Sequence, residues 1–166
     1  MRPRIITIII LFITIHISCS TGKGTFNDFY QQNKYKEGVI TFEIPSFFFH
    51  YLLRRTNVDN ETGNQLLHKI KGIQVYISER ATRDEILSFE RILDTSLYSE
   101  LMVMRDGPSL ISFKIREGHQ GIEEILFSAT GEKGLFILSV KGRFSREDVK
   151  TLIDQINLED VFTLSI

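Results

Sequence analysis

Residues 101–142 read LMVMRDGPSLISFKIREGHQGIEEILFSATGEKGLFILSVKG, and the punctuation of this stretch decides the fold. Four apolar runs, LMVM, LISFKI, IEEILFSA and LFILSVKG, are separated by RDGPS, REGHQG and TGEKG. Each joint is rich in residues that turn the chain: Gly for positive φ, Pro for a fixed φ, Asp and Ser for local hydrogen bonds. Joints this short connect only antiparallel neighbours, because a parallel crossover needs a dozen residues or more. The stretch therefore predicts a meander of three hairpins.

Working outward, VITFEI at 39–44 alternates, with Ile40, Phe42 and Ile44 on one face, and GIQVYIS at 72–78 does the same through Ile73, Val75 and Ile77. Both read as strands. Pro45 ends the first and opens a helix over SFFFHYLLRR at 46–55, followed by a polar loop at 56–64. Thr82 and Glu85 have capping-box spacing ahead of a stripe of Ile86, Phe89, Leu93 and Leu97. Ser145 and Asp148 stand likewise before Val149, Leu152, Ile153 and Ile156. The tail VFTLSI at 161–166 either adds an edge strand or packs on the core. The expected product is one α+β domain over 38–166: a mainly antiparallel sheet of about six strands, with three helices on one face in two layers.

The start of the chain has a different logic. Arg2 and Arg4 precede an apolar run from Ile5 to Ile17, broken only by Thr7, Thr14 and His16. As a helix that run spans about 20 Å, short of the ~30 Å hydrocarbon core of a bilayer. A basic start, a short apolar stretch and a small residue, Ser18, before Cys19 describe a secretory signal over residues 1–18. Cys19 is the only cysteine, so no disulfide can explain it. The Ser18-Cys19 junction resembles a bacterial lipobox, which implies a lipidated Cys19 as the mature first residue. The alternative is ordinary signal cleavage with Cys19 an incidental thiol. Residues 20–36 are polar and read as a flexible tether, giving a segment of 19–37 ahead of the domain.

The chain has a net charge of −1, and loss of Arg2 and Arg4 with the leader makes the remainder −3. That balance argues against nucleic acid as a partner and against a polybasic membrane clamp. His50, His68 and His119 are too far apart in sequence for a local metal pair, and no motif calls for a cofactor or metal. Glu123 and Glu124 are adjacent, so on a strand they point to opposite faces and cannot form an acid/base pair with one another. A solvated face accounts for these and the other carboxylates. The run Phe47-Phe48-Phe49-His50-Tyr51 is the most unusual local feature, because three consecutive aromatics on a helix cover more than one face. It either packs under the loop at 56–64 or forms an exposed patch, Phe47, Phe48, Phe49 and Tyr51, for a partner.

With these elements in place the chain resembles a family of small bacteroidete-type lipoproteins carrying a domain of unknown function. The resemblance lies in the Ser18-Cys19 junction, GIQVYISE with the capped helix after it, YSELMVMRDGPSLISFKI, and IEEILFSATGEKGLFILSVKGRFSREDVKTL. It implies export, a lipid anchor and an α+β domain, and it supplies no catalytic residue to carry over. The combined expectation is a lipid-anchored protein of the bacterial cell envelope, facing the periplasm. It would be a non-enzymatic binding or envelope-sensing module whose partner is another envelope protein. A carrier of a small ligand or lipid, using Phe-rich space between helices and sheet, is the alternative. A hydrolase comes third and requires at least two of His50, His68, Asp106, Ser109 and His119 to converge.

Overall fold

The computed structural model describes residues 24–48, 51, 61–94, 96–131 and 134–155. The leader, Cys19, Phe49, His50, Ile156 and the tail at 161–166 lie outside the described residues. In chain order the elements are α1 (Phe26–Asn33), β1 (Val39–Pro45), α2 (Glu61–Lys69), β2 (Ile70–Ser78), α3 (Arg83–Leu93), β3 (Tyr98–Asp106), β4 (Ser109–Gly118), β5 (Gly121–Gly131), β6 (Gly134–Phe144) and α4 (Arg146–Gln155). Residues 46–48, after β1, are helical.

The six strands form one sheet in the order β1-β2-β6-β5-β4-β3, every pair antiparallel. The meander β3-β4-β5-β6 is the expected one, and β2 docks on its last strand with β1 outside it. The turn between β3 and β4 uses Gly107 at φ 55°, a left-handed conformation that glycine adopts without a Cβ penalty. Thus the fold class is α+β with a six-stranded antiparallel sheet.

The helices differ from expectation in two ways. First, they cover both faces of the sheet rather than one. Tyr76, Leu126 and Ile137 pack with Phe26, Phe29 and Tyr30 of α1 and with Phe89 and Leu93 of α3. Their strand neighbours Ile73, Ile125 and Val140 point the other way and pack with Leu67 of α2 and Val149 and Leu152 of α4. The reason is visible in β5, where Glu124 through Ala129 are buried at six successive positions. A strand buried at consecutive positions needs cover on both sides. The result is three layers, helix–sheet–helix.

Second, two helices stand where the sequence reads as loop. α2 takes up Glu61–Asn64, the end of the expected polar loop. More consequentially, α1 lies within the expected tether, so the fold takes in residues from Thr25 onward and not only those from 38. Phe26, Phe29, Tyr30 and Asn33 are spaced i, i+3, i+4, i+7 and all four are buried. The Asp28 carboxylate accepts hydrogen bonds from Thr25 N (2.7 Å) and Thr25 Oγ1 (2.9 Å), closing the first turn. Phe29 meets Tyr76 and Phe89 with ring centroids 5.1 and 5.4 Å apart.

The cap of α4 is reciprocal as expected: Ser145 N donates to Asp148 Oδ2 (2.7 Å) and Asp148 N to Ser145 Oγ (3.1 Å). Both Asp148 oxygens also accept from Lys69 Nζ at 2.7–2.8 Å, which ties the end of α2 to the start of α4. The cap of α3 is only half the expected box. Thr82 Oγ1 accepts from Glu85 N (3.2 Å), but the Glu85 carboxylate turns inward to Tyr76 Oη (2.6 Å) and Ser78 Oγ (3.3 Å).

Two measurements follow from this packing. Phe29→Ala removes a buried ring from α1 and should lower the urea unfolding free energy by about 3–5 kcal/mol; an unchanged midpoint would return residues 25–37 to the status of a tether. Asp148 is held below its ordinary 3.8: its partial burial opposes this, and the bonds from Lys69 and Ser145 prevail. Its contribution is therefore complete above pH 3.8 and disappears as the pH falls through the lower folded value. Because Lys69 is well exposed, solvent screening limits it to about 1 kcal/mol. Unfolding curves of wild type and Asp148→Asn should differ at neutral pH and converge in acid.

Candidate functional site

The strand register aligns a row of polar residues across the sheet on the face covered by α1. Tyr98 in β3 stands opposite Arg116 in β4, Arg116 opposite Glu124 in β5, and Glu124 opposite Lys141 in β6. Ser139, one position along that face of β6, stands opposite Gln74 in β2, which stands opposite Glu43 in β1.

Glu124 is the centre of the row and is 1% exposed. Its Oε2 accepts from Tyr98 Oη (2.9 Å) and Arg116 Nε (3.1 Å), and its Oε1 from Ser139 Oγ (2.6 Å). Tyr98 Oη in turn accepts from Phe26 N (3.0 Å), one of the helix-start amides that no helical carbonyl can satisfy. Burial, then the neighbouring Glu124 charge, pushes the Tyr98 phenol well above its ordinary value, so it remains a donor at neutral pH. Tyr76 is raised in the same sense, by burial first and then by Glu85. The Arg116 guanidinium loses some basicity to burial, but the bond and charge of Glu124 outweigh that and raise it.

The expectation that Glu123 and Glu124 face opposite ways and lie in solvent is overturned here. Arg116 Nη1 donates to Glu123 Oε2 at 2.9 Å while its Nε holds Glu124. Both carboxylates reach one guanidinium because the strand is not regular. Arg116 and Glu117 pair with Glu124 and Ile122, so Glu123 is an extra residue on β5. Two more irregularities lie beside it. Ile70 and Gly72 pair with Gly142 and Lys141, making Lys71 extra on β2. Ile122 and Glu124 pair with Phe144 and Lys141, so β6 carries an extra residue within Gly142–Arg143. Bulges re-aim side chains and bend strands. These three converge on an open cleft of about 460 Å³ lined by Lys71, Arg116, His119, Glu123, Lys141 and Arg143, among others.

Next to the cleft, Asn27 Oδ1 accepts from Gln74 Nε2 (3.2 Å) and stands 3.4 Å from Lys141 Nζ. Gln74 Nε2 also donates to Glu43 Oε1 (2.7 Å), leaving Gln74 Oε1 buried without a partner. Swapping the amide would set its carbonyl against the Glu43 carboxylate, so the orphaned acceptor, at about 1–3 kcal/mol, is the accepted cost.

Of the other candidates, His119 lines the cleft, while Phe47, Phe48, Tyr51, His68, Asp106 and Ser109 are not among its lining residues. Phe47 is 70% exposed, Phe48 and Tyr51 are exposed, and so are Ile40 (52%) and Phe42 (46%) on the edge strand β1. Ser109 and Asp106 pair at one end of the β3–β4 hairpin, while His119 follows the other end of β4, about 30 Å away along a ten-residue strand. His68 lies exposed on α2. Of the hydrolase set, Asp106 and Ser109 thus pair across the β3–β4 turn, His119 lies at the far end of β4, and His50 lies outside the described residues. Among the described residues no three His, Cys, Asp or Glu side chains are grouped to hold a metal ion, and no helix is long and apolar enough to cross a membrane.

Sequence reading weighs His119 and Glu123 one at a time, but the convergence of the cleft residues escapes it because they come from four strands and owe their aim to bulges. The one signal available was Lys141-Gly142-Arg143, two cations beside a glycine at a strand end. Sequence comparison adds one finding: a family model describing a domain of unknown function (DUF4252) matches residues 30–152. No curated protein and no solved structure matches the chain.

The buried row makes a stability prediction. Arg116→Met removes the only cation on Glu124 among the described residues and leaves a buried carboxylate with two hydroxyl donors. It should cost about 3–5 kcal/mol in urea unfolding at pH 7, whereas Arg143→Met, on the exposed rim, should stay within about 0.5 kcal/mol.

Proposed function

Because the chain belongs to the DUF4252 family, whose function is not established, we propose from its own surface that it is a lipid-anchored cell-envelope protein acting as a non-enzymatic binding module. The observation that carries this reading is the exposed apolar series Ile40, Phe42, Phe47, Phe48 and Tyr51 along an edge strand and the helical residues after it. Exposed aromatic and branched side chains on a sheet edge favour a protein partner, which gains ring burial against them. The anchor is the lipid on Cys19. Only residues 20–24 separate Cys19 from the Thr25 cap, a reach of about 20 Å at most, so such an anchor would hold the domain close to the membrane.

The carrier reading has less support. The Phe-rich space between α1, α3 and the sheet is filled by Phe26, Phe29, Tyr76 and Phe89, whose ring centroids lie 5.1–6.4 Å apart.

Membrane fractionation and cross-linking in the native host test the proposal. Wild type should sediment with membranes and Cys19→Ala should not. Phe42→Thr combined with Phe47→Ser should stay membrane-bound and folded but lose the cross-linked protein that wild type captures. Equal capture by this pair and wild type would remove the apolar edge from the proposal, and equal fractionation of Cys19→Ala would remove the anchor.

A further inference from the structure

The three bulges call for a reason beyond folding. A regular antiparallel ladder would be flatter and would keep more of its hydrogen bonds, yet β2, β5 and β6 each break register within a few residues of one another. The residues they re-aim, Lys71, Glu123 and Arg143, all line the same cleft, together with Lys141 and Arg116. In a chain whose net charge is −1, four cations on one concavity are a concentrated exception. Arg116 is held by its two carboxylates, but Lys71 and Arg143 are exposed and, among the described residues, make no ion pair. Among the described residues, Lys141 has only the side-chain oxygen of Asn27 at 3.4 Å. Like charges do not collect on a concave surface without a cost in mutual repulsion, and that cost is offset when an anion sits among them.

We propose that this bulged cleft binds a phosphate-bearing ligand, with the ammonium groups of Lys71 and Lys141 and the Arg143 guanidinium as its donors. Glu123 sets its selectivity, since a carboxylate on the rim weakens binding of a bare anion and favours a phosphate that carries hydroxyl or amine groups beside it. Location favours a membrane phospholipid headgroup as the source. Lys141 lies against Asn27, two residues past the Thr25 cap, so the cleft opens beside the point where the chain enters the fold. Asn27 is eight residues from Cys19, at most about 30 Å of extended chain. The lipid source rests on the anchoring proposed above; the phosphate chemistry does not.

The test uses the full chain in neutral dodecyl maltoside micelles, reading the shift in thermal midpoint at constant ionic strength. The probes are inorganic phosphate and micelles doped with phosphatidylglycerol. Ligand that binds only the folded state raises the midpoint in proportion to its occupancy. A rise with phosphatidylglycerol alone assigns the site to a headgroup; a rise with inorganic phosphate assigns it to the phosphate itself, whatever carries it. Lys141→Gln with Arg143→Gln should weaken the response about tenfold. Glu123→Gln should strengthen it, a gain that misfolding cannot produce. No rise with either probe overturns the proposal, as does an equal loss in a Lys36→Gln, Arg80→Gln control, which would show diffuse charge attraction instead of a site. If Cys19→Ala leaves the membrane fraction unchanged while the phosphate response persists, the anchor fails and the cleft stands.

Discussion

The Glu124 carboxylate sits with almost no access to water in the middle of a sheet face, and an ion there is tolerable only if fixed donors replace its hydration. Those donors come from three other strands: Tyr98 from β3, Arg116 from β4 and Ser139 from β6. All four strands must therefore be paired in one register before the charge is satisfied. A slip by one residue would turn the donors to the opposite face, which is apolar. The same network fixes the first helix, because Tyr98 Oη takes the amide of Phe26. A segment that composition alone assigns to solvent thus becomes a structural part of the core.

The bulges and the buried row are aspects of one arrangement. The extra residue at Glu123 lets two sequential carboxylates share Arg116, one buried and one on the rim. The extra residues on β2 and β6 then widen the same end of the sheet into a cleft with Lys71 and Arg143 on its wall. Arg116 belongs to both: its Nε stabilises the interior and its Nη1 braces the rim. The β1 flank of the sheet has a different character, an edge strand with exposed Ile40 and Phe42. The molecule therefore presents an apolar edge and a cationic cleft, suited to two different kinds of contact.

How far these features can be read from sequence depends on how local their causes are. The Ser145–Asp148 cap, the Thr82 half of the α3 cap and the antiparallel pairing of the meander rest on residues within a few positions of each other, and these are found as expected. α1 was legible in principle through aromatics at i, i+3 and i+4 (Phe26, Phe29, Tyr30), but Gln31, Gln32 and Lys34 dilute the pattern into a polar average. Glu85 has capping spacing and a different partner, because Tyr76 and Ser78 arrive beside it only when α3 packs on β2. Two-sided cover was implied by ILF in β5 and LFIL in β6, where alternation fails, though nothing local assigns a helix to either face.

What the sequence by itself determined is the class and the local connections: an α+β domain, about six mainly antiparallel strands, a C-terminal meander and capped helices, all consequences of periodicity and turn chemistry within short windows. What only the tertiary structure decided is the third layer, the incorporation of residues 26–33 into the core, and the convergence of Lys71, Arg116, Glu123, Lys141 and Arg143. Register and bulges set those outcomes. They depend on how a whole strand minimises unpaired polar groups against its neighbours, a condition that no short window of sequence contains.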